Sequence, residues 1–230
     1  MIKTIYLDIE TIPTQRDDVR AFIASTVTHP GNIKKAETIA AWNETEKPAA
    51  VEEAVNKTGL DGAFGQVVCV GMDLRDDGEP LVISGLSEAD VLRAVNDAMK
   101  AEFEASDAFS TTIVGHNVSA FDLRFLVQRY IVNGIKPHHI IARAAQAKPW
   151  ESEKVYDTMV QFAGVGNRIS LDKLCLALGL PGKGDITGAD VWPMVQAGRL
   201  QEVADYCKND VLKTRAVFKR MTFAELADAA

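Results

Sequence analysis

Residues 2–13, IKTIYLDIETIP, narrow the choice of fold more than any other stretch of the chain. Ile2, Ile5, Tyr6, Leu7 and Ile9 supply the β-branched and aromatic bulk of a buried strand. Set into that run are two acids, Asp8 and Glu10. Strand side chains alternate with period two, so both carboxylates leave the same face, close together. Two anions so placed repel each other and resist losing water, and a fold ordinarily excludes them. A divalent cation removes the difficulty, because carboxylate oxygens are the ligands that Mg²⁺ and Mn²⁺ favour. A solvent-facing strand end would remove it too, so the D-x-E pattern needs support from the rest of the chain.

At 230 residues the chain has ample length for a buried core, and with 47% hydrophobic and 25% charged residues it has the balance of a soluble protein. The formal net charge of −7 argues against a non-specific DNA coater, which needs a broad basic face. It leaves room for an enzyme that holds nucleic acid through metal ions and a few placed cations. Cys69, Cys175 and Cys207 lie far apart with no C-x-x-C, so they read as small buried thiols rather than zinc ligands or disulfides. There is no apolar run of about 18 residues and no signal-peptide pattern, so a cytoplasmic protein without a membrane partner is expected.

From Pro13 to about Gln66 the pattern is helical and polar, with helices expected over 17–27 and 48–58. This reads as a helical insertion at about 14–66 on a single domain of 1–230. Insertions of this kind cap sites or make subunit contacts, so a homo-oligomer is one expectation. Residues 66–74 form a clear strand, Asp76-Asp77-Gly78 a turn and residues 80–84 a partner strand, which with the first strand suggests an antiparallel meander. Ser87 is expected to cap a helix running to about Phe103, with Asp90 at the capping-box position. A buried strand, Thr111 to Gly115, ends in His116-Asn117 and leads to a helix over about 119–133 that buries Leu123, Phe125, Leu126, Tyr130 and Ile131. Asp122 falls in its first turn, just after a strand C-terminus, where open α/β sheets place their sites. Residues 155–162 read as a further strand carrying Asp157, residues 170–178 as a short helix, and 179–188 as a glycine-rich loop holding Lys183. The last helix spans about 200–221, its stripe of Leu200, Val203, Cys207, Val211, Thr214 and Phe218 stepping by three and four. Tyr206 and Asp210, four apart, share a face on the shoulder of that stripe.

Three acidic stations therefore exist, in the motifs D-I-E-T (8–11), N-V-S-A-F-D (117–122) and Y-C-K-N-D (206–210). In order and spacing they resemble the DEDD superfamily of 3′→5′ exonucleases, and the tyrosine four before the last aspartate marks the DEDDy branch. The F-D pair after an asparagine and the G-K-G-D loop are most similar to the exonuclease domain of family B DNA polymerases. Stand-alone bacterial and phage relatives of that domain include exonucleases associated with CBASS anti-phage systems. The resemblance implies an α/β, ribonuclease H-like fold: a mixed five-stranded sheet, first three strands antiparallel, flanked by helices. It also implies two divalent cations, Mg²⁺ or Mn²⁺, serving both ends of an in-line displacement. Asp8 would bridge them, Glu10 and Asp210 would complete the first, and Asp122 would hold the second. Tyr206 would orient the attacking water, and Thr11 and Ile12 would meet the terminal nucleotide.

Asn117, Phe121 and Lys183 are further substrate-binding candidates, each with a plain structural reading beside it: turn chemistry, helix-start packing and a solvated lysine. His116 reads as bonded to backbone, and Asp157 as a helix cap or a support for the ligands. Arg124, Arg129, Arg143 and Lys148 offer a positive approach to the cleft that sequence cannot place on one side. The leading expectation is a 3′→5′ exonuclease on DNA, single-stranded or frayed, releasing nucleoside monophosphates. An exoribonuclease on short RNA and a catalytically idle nucleic-acid-binding subunit are the alternatives.

Overall fold

The computed structural model describes residues 3–75, 78–182 and 184–224. Ile2, Asp76, Asp77 and Lys183 therefore lie outside the described residues. The chain divides into two compact units, one of Met1–Glu10 with Val67–Ala230, the other of Thr11–Gln66. The strands are β1 (Lys3–Ile12), β2 (Gln66–Asp73), β3 (Leu81–Ser84), β4 (Thr111–Gly115) and β5 (Val155–Asp157). Among the described residues the helices are α1 (Asp17–Thr26), α2 (Ala36–Thr45), α3 (Lys47–Lys57), α4 (Glu88–Glu102), α5 (Asp122–Val132), α6 (His139–Ala144), α7 (Thr158–Ala163), α8 (Leu171–Leu178), α9 (Val191–Gln196) and α10 (Leu200–Met221).

In the larger unit the strands form one sheet in the order β3-β2-β1-β4-β5. The first three are antiparallel, with Cys69 opposite Ser84 and Met72 opposite Leu81 between β2 and β3. β4 then runs parallel to β1, Lys3 beside Thr111 and Tyr6 beside Val114, and β5 parallel to β4, Gly115 beside Asp157. This is the mixed sheet of the ribonuclease H-like fold. Alternation along β1 sorts its side chains between two layers. Ile5, Leu7 and Ile9 join a core built with Leu92, Val95 and Met99 of α4 and Leu123, Phe125 and Leu126 of α5. Tyr6 turns the other way, to Val114 and to Val211 of α10. Its ring meets Phe218 edge-on at 5.7 Å.

In the smaller unit α1 and α3 bury Val19, Ile23 and Val55 around Phe64. Helix α2, unexpected from sequence, lies between them in the chain and buries one large side chain, Trp42. Its alanines and polar residues give only a weak apolar stripe, so period alone did not reveal it.

Several expectations need correction. Residues 155–162 are not one strand: β5 stops at Asp157, whose carboxylate accepts from the N–H groups of Met159 and Val160 and starts α7. The apolar residues Met159 and Val160 fit either period, and the cap decides. Helix α5 begins at Asp122 rather than near 119, and Ile131 is 71% exposed, outside the buried stripe. Ser87 precedes α4 without a side-chain cap, and Asp90 pairs with Arg93.

The neighbour of Ser87 has the larger role. Glu88 is buried, accepts from the Val67 N–H at 2.7 Å and is gripped by Arg129 of α5 at 2.8 and 2.9 Å. Arg129 therefore ties α5 to α4 and to the start of β2, and does not serve a positive cleft. Losing one partner of such a pair leaves a buried charge alone, at a cost of about 3–5 kcal/mol. Arg129→Met is expected to lose stability in that range in urea unfolding, and adding Glu88→Gln to recover part of it. A single variant as stable as the parent would contradict the pairing.

Candidate active site

Asp8 and Glu10 leave β1 on the face that Tyr6 presents to α10, just past the register at which Tyr6 pairs with Val114. Glu10 is only 7% exposed, and the Oδ2 of Asp8 is buried with no hydrogen-bond partner among the described residues. Burial pushes both carboxyls well above the usual carboxylate range. Like charges add to it, from Asp122 and Asp210 on Asp8, and from Asp8 and Asp210 on Glu10.

Asp122 reaches the same place from the turn after β4. That turn is tight: a Cβ on Gly115 would lie 2.4 Å from the Cβ of Val118. Asn117 adopts the left-handed region, φ 62°, which asparagine tolerates better than most residues. Asp157 fastens the turn, its Oδ1 accepting from the Asn117 N–H at 2.9 Å and its Oδ2 from the Ser119 N–H at 3.0 Å. So held, Asp122 accepts from the Ile9 N–H at 3.1 Å, between the two acids of β1. Burial, only partly offset by backbone hydrogen bonds, raises it to about 7. His116 also belongs to this scaffold, with Nδ1 2.9 Å from the Thr158 hydroxyl and Nε2 2.8 Å from the Ile169 carbonyl oxygen.

The third arm is α10, which approaches the sheet at Gly71 of β2. A Cβ there would meet Cys207 Sγ and Val211 Cγ2, each at 2.9 Å. The Cys207 thiol points at the Asp8 carbonyl oxygen, 3.7 Å away. Cys207 Sγ and one oxygen each from Asp8 and Glu10 lie within 4.8 Å of one another. Burial raises the thiol's pKa, and hard cations favour oxygen, so the carboxylates are the better ligands. Tyr206, one residue earlier, is pushed strongly upward by burial and by the charges of Asp210, Glu10 and Asp8, so its phenol keeps its proton.

Sequence reasoning missed Lys213. Its ammonium donates to Asp210 Oδ1 at 2.9 Å and to Asp172 Oδ1 at 3.1 Å, and it is 15% exposed. Burial works to lower its pKa, but bonds to the two aspartates outweigh that and raise it. The i,i+3 spacing from Asp210 was the available signal.

Asp8, Glu10, Asp122, Tyr206 and Asp210 thus act on one another electrostatically although they come from three remote segments. The set suits a divalent cation: oxygen donors, several negative charges and a buried, unpartnered carboxylate oxygen. The other candidates have contacts of their own. The Thr11 hydroxyl donates to the Gly59 carbonyl at 2.6 Å, and Ile12 is 1% exposed. Phe121 packs against Phe125, ring centres 5.5 Å apart. Arg143 reaches the Thr111 carbonyl oxygen, and Lys148 lies over the Trp150 ring.

The family described as a predicted 3′–5′ exonuclease related to the exonuclease domain of PolB matches residues 60–227. The chain belongs to this exonuclease family. The match includes Asp122, Tyr206 and Asp210, while Asp8 and Glu10 precede it. Among solved structures, the family B DNA polymerase of the hyperthermophilic archaeon Pyrobaculum calidifontis is similar in fold, with a TM-score of 0.58 at 17% identity over 97% of the chain. The exonuclease spans 25% of that polymerase's length. A comparison with curated proteins finds no match.

The raised carboxyls fix how the metal-free exonuclease responds to pH. A folded Asp122 with a pKa of about 7, against 3.8 ordinarily, holds a proton that the unfolded chain has released. Its stabilisation is full below the unfolded pKa and is lost as pH rises through the folded one, with Asp8 and Glu10 acting in the same direction. In chelator the melting temperature should fall between about pH 5 and about pH 8, and Mn²⁺ should raise it more at the upper end. A melting temperature that is flat with pH, or equal gains from Mn²⁺ at both ends, would mean that these acids are not buried together.

Proposed function

We propose that this exonuclease removes nucleoside monophosphates from DNA 3′ ends, single-stranded or frayed, with Asp8, Glu10, Asp122 and Asp210 holding two divalent cations, Mg²⁺ or Mn²⁺. The observation that carries the reading is the buried Asp8 Oδ2, which has no partner among the described residues although three more carboxylates act on its neighbourhood. Without a cation such a group is kept only by holding a proton, and a cation in reach lets all of these acids ionise together. When bound, the cations supply Lewis acidity at the phosphoryl oxygens and lower the pKa of the attacking water.

The chain's own residues account for the rest. Asp8 would be shared by the two cations, Glu10 and Asp210 would complete one of them, and Asp122 would hold the other. Tyr206 keeps its proton beside Asp210, so its phenol orients the water by a hydrogen bond and does not act as a base. Lys213 and Asp172 hold the Asp210 carboxylate in one orientation. The fully buried thiol of Cys207 lies against the Asp8 backbone and keeps water from that side of the acid.

The test is a 5′-labelled single strand incubated with Mg²⁺ or Mn²⁺, which should shorten stepwise. EDTA should stop the reaction and excess cation restore it. Asp8→Ala should cost more than about 100-fold in turnover, above the about 10–100-fold typical of a supporting contact. Persistent turnover in that variant would overturn the metal assignment. A matched RNA strand run in parallel settles the sugar, because selectivity there depends on contacts to the 2′ position.

Tyr206→Phe separates orientation from grip. Turnover is expected to fall on the order of 100-fold while KM changes little. An effect confined to KM would make the tyrosine a substrate contact.

A further inference from the structure

Among the described residues of the larger unit, two cavities adjoin the acidic site, and their charges differ. One is a cavity of about 640 Å³ between the 181–186 loop and α10, bordered by Tyr206 and Lys213. Its described lining carries Asp185, Glu202 and Asp205, while Lys213 is already held by Asp172 and Asp210, and Glu202 by Arg199. The other is a groove of about 440 Å³ that starts at Asn117 and Ser119, in the turn leading to Asp122, and continues past β5 along α7 to residues 165–168. Its charged lining residues are Arg124, Arg168 and Asp157. Both arginines are exposed and have no ion-pair partner among the described residues. Asp157 is 2% exposed and its oxygens are taken up by backbone N–H groups. The open face of this groove is therefore positive, in a protein whose net charge is −7. Its apolar members include Val165, 73% exposed, and Pro149. Beside Pro149 stands Trp150, 74% exposed, with the Lys148 ammonium 5.4 Å from its ring centre.

An exonuclease working from a 3′ end must lead the uncut strand away over one flank, and a polyanion follows the positive one. We infer that the Arg124–Arg168 groove carries the single strand on the 5′ side of the cut, its phosphates on the two arginines and a base against Trp150. This rests on the exonuclease reading for the direction of the strand, but the binding surface is testable alone. Arginine forks suit phosphate oxygens, and an exposed indole offers a stacking face to any base.

The experiment uses fluorescence anisotropy of a 5′-fluorescein oligothymidylate of about 12 nucleotides, within the about 4–16 that single-strand sites take. Ca²⁺ is present to neutralise the carboxylates, and salt is varied. Arg124→Ala with Arg168→Ala should weaken binding several-fold and reduce the slope of log K against log salt by about 1.4, about 0.7 for each phosphate no longer neutralised. Trp150→Ala should weaken binding with the slope unchanged, and Arg93→Ala, which removes a charge from α4, should change neither. Unchanged binding in the double arginine variant overturns the proposal, whatever the nuclease activity. So does weaker binding with Lys183→Ala and not with the arginines, since the strand would then leave past the glycine-rich loop. Binding that depends on the arginines, in a protein that cuts nothing under any cation, would sink the exonuclease reading and leave the groove standing.

Discussion

The cost of putting negative charge under a helix governs this structure. Asp8 and Glu10 lie on the face of β1 that α10 covers, and Asp122 and Asp210 are brought towards them from other directions. Nothing in hydrophobic burial favours that gathering, so each acid has to be held in place. Asp122 accepts from the Ile9 N–H, the turn before it is fastened by Asp157, and Asp210 is clamped by Lys213. A preorganised set of oxygens needs little rearrangement to accept a cation, and the strain of keeping the set together is met by the rest of the fold.

The fold meets it through division of labour across the sheet. The α4–α5 side holds the large apolar cluster and the buried Glu88–Arg129 pair, and its cohesion does not depend on the acids. The α10 side carries a smaller aromatic contact, Tyr6, Tyr156 and Phe218, next to the charged groups. One face thus stabilises the molecule while the other carries the gathered acids. β1 serves both because its side chains alternate.

That alternation is also why the gathering of the acids was legible from sequence. Two acids at i and i+2 in an apolar run, an acid after a buried strand, and a tyrosine and an aspartate at helical spacing are local patterns, and each survives into the structure. The limits of α10 were readable for the same reason, its stripe being long and regular. Residues 155–162 failed because β5 is three residues long and the capping role of Asp157 cannot be told from a strand acid by period alone. Arg129 and Lys213 failed for a different reason. The buried pairing between α4 and α5 is a tertiary fact with no signature in either segment alone, and the spacing of Lys213 from Asp210 does not announce that Asp172 of α8 shares the lysine. Arg168 was not picked out at all, since its value lies in facing the same groove as Arg124.

Gly71 has a consequence for how such a molecule could be altered. The hydrogen at that position sets the depth at which α10 sits, with Cys207 and Val211 resting where a methyl would otherwise be. Substitutions on the outer surface of the helix are free to drift, since they leave that seating alone. Any bulk at position 71 would instead lift the whole rod, and Tyr206 and Asp210 would rise with it. The reach of Tyr206 and Asp210 toward the β1 acids is thus gauged by an atom on β2, remote from both in the chain.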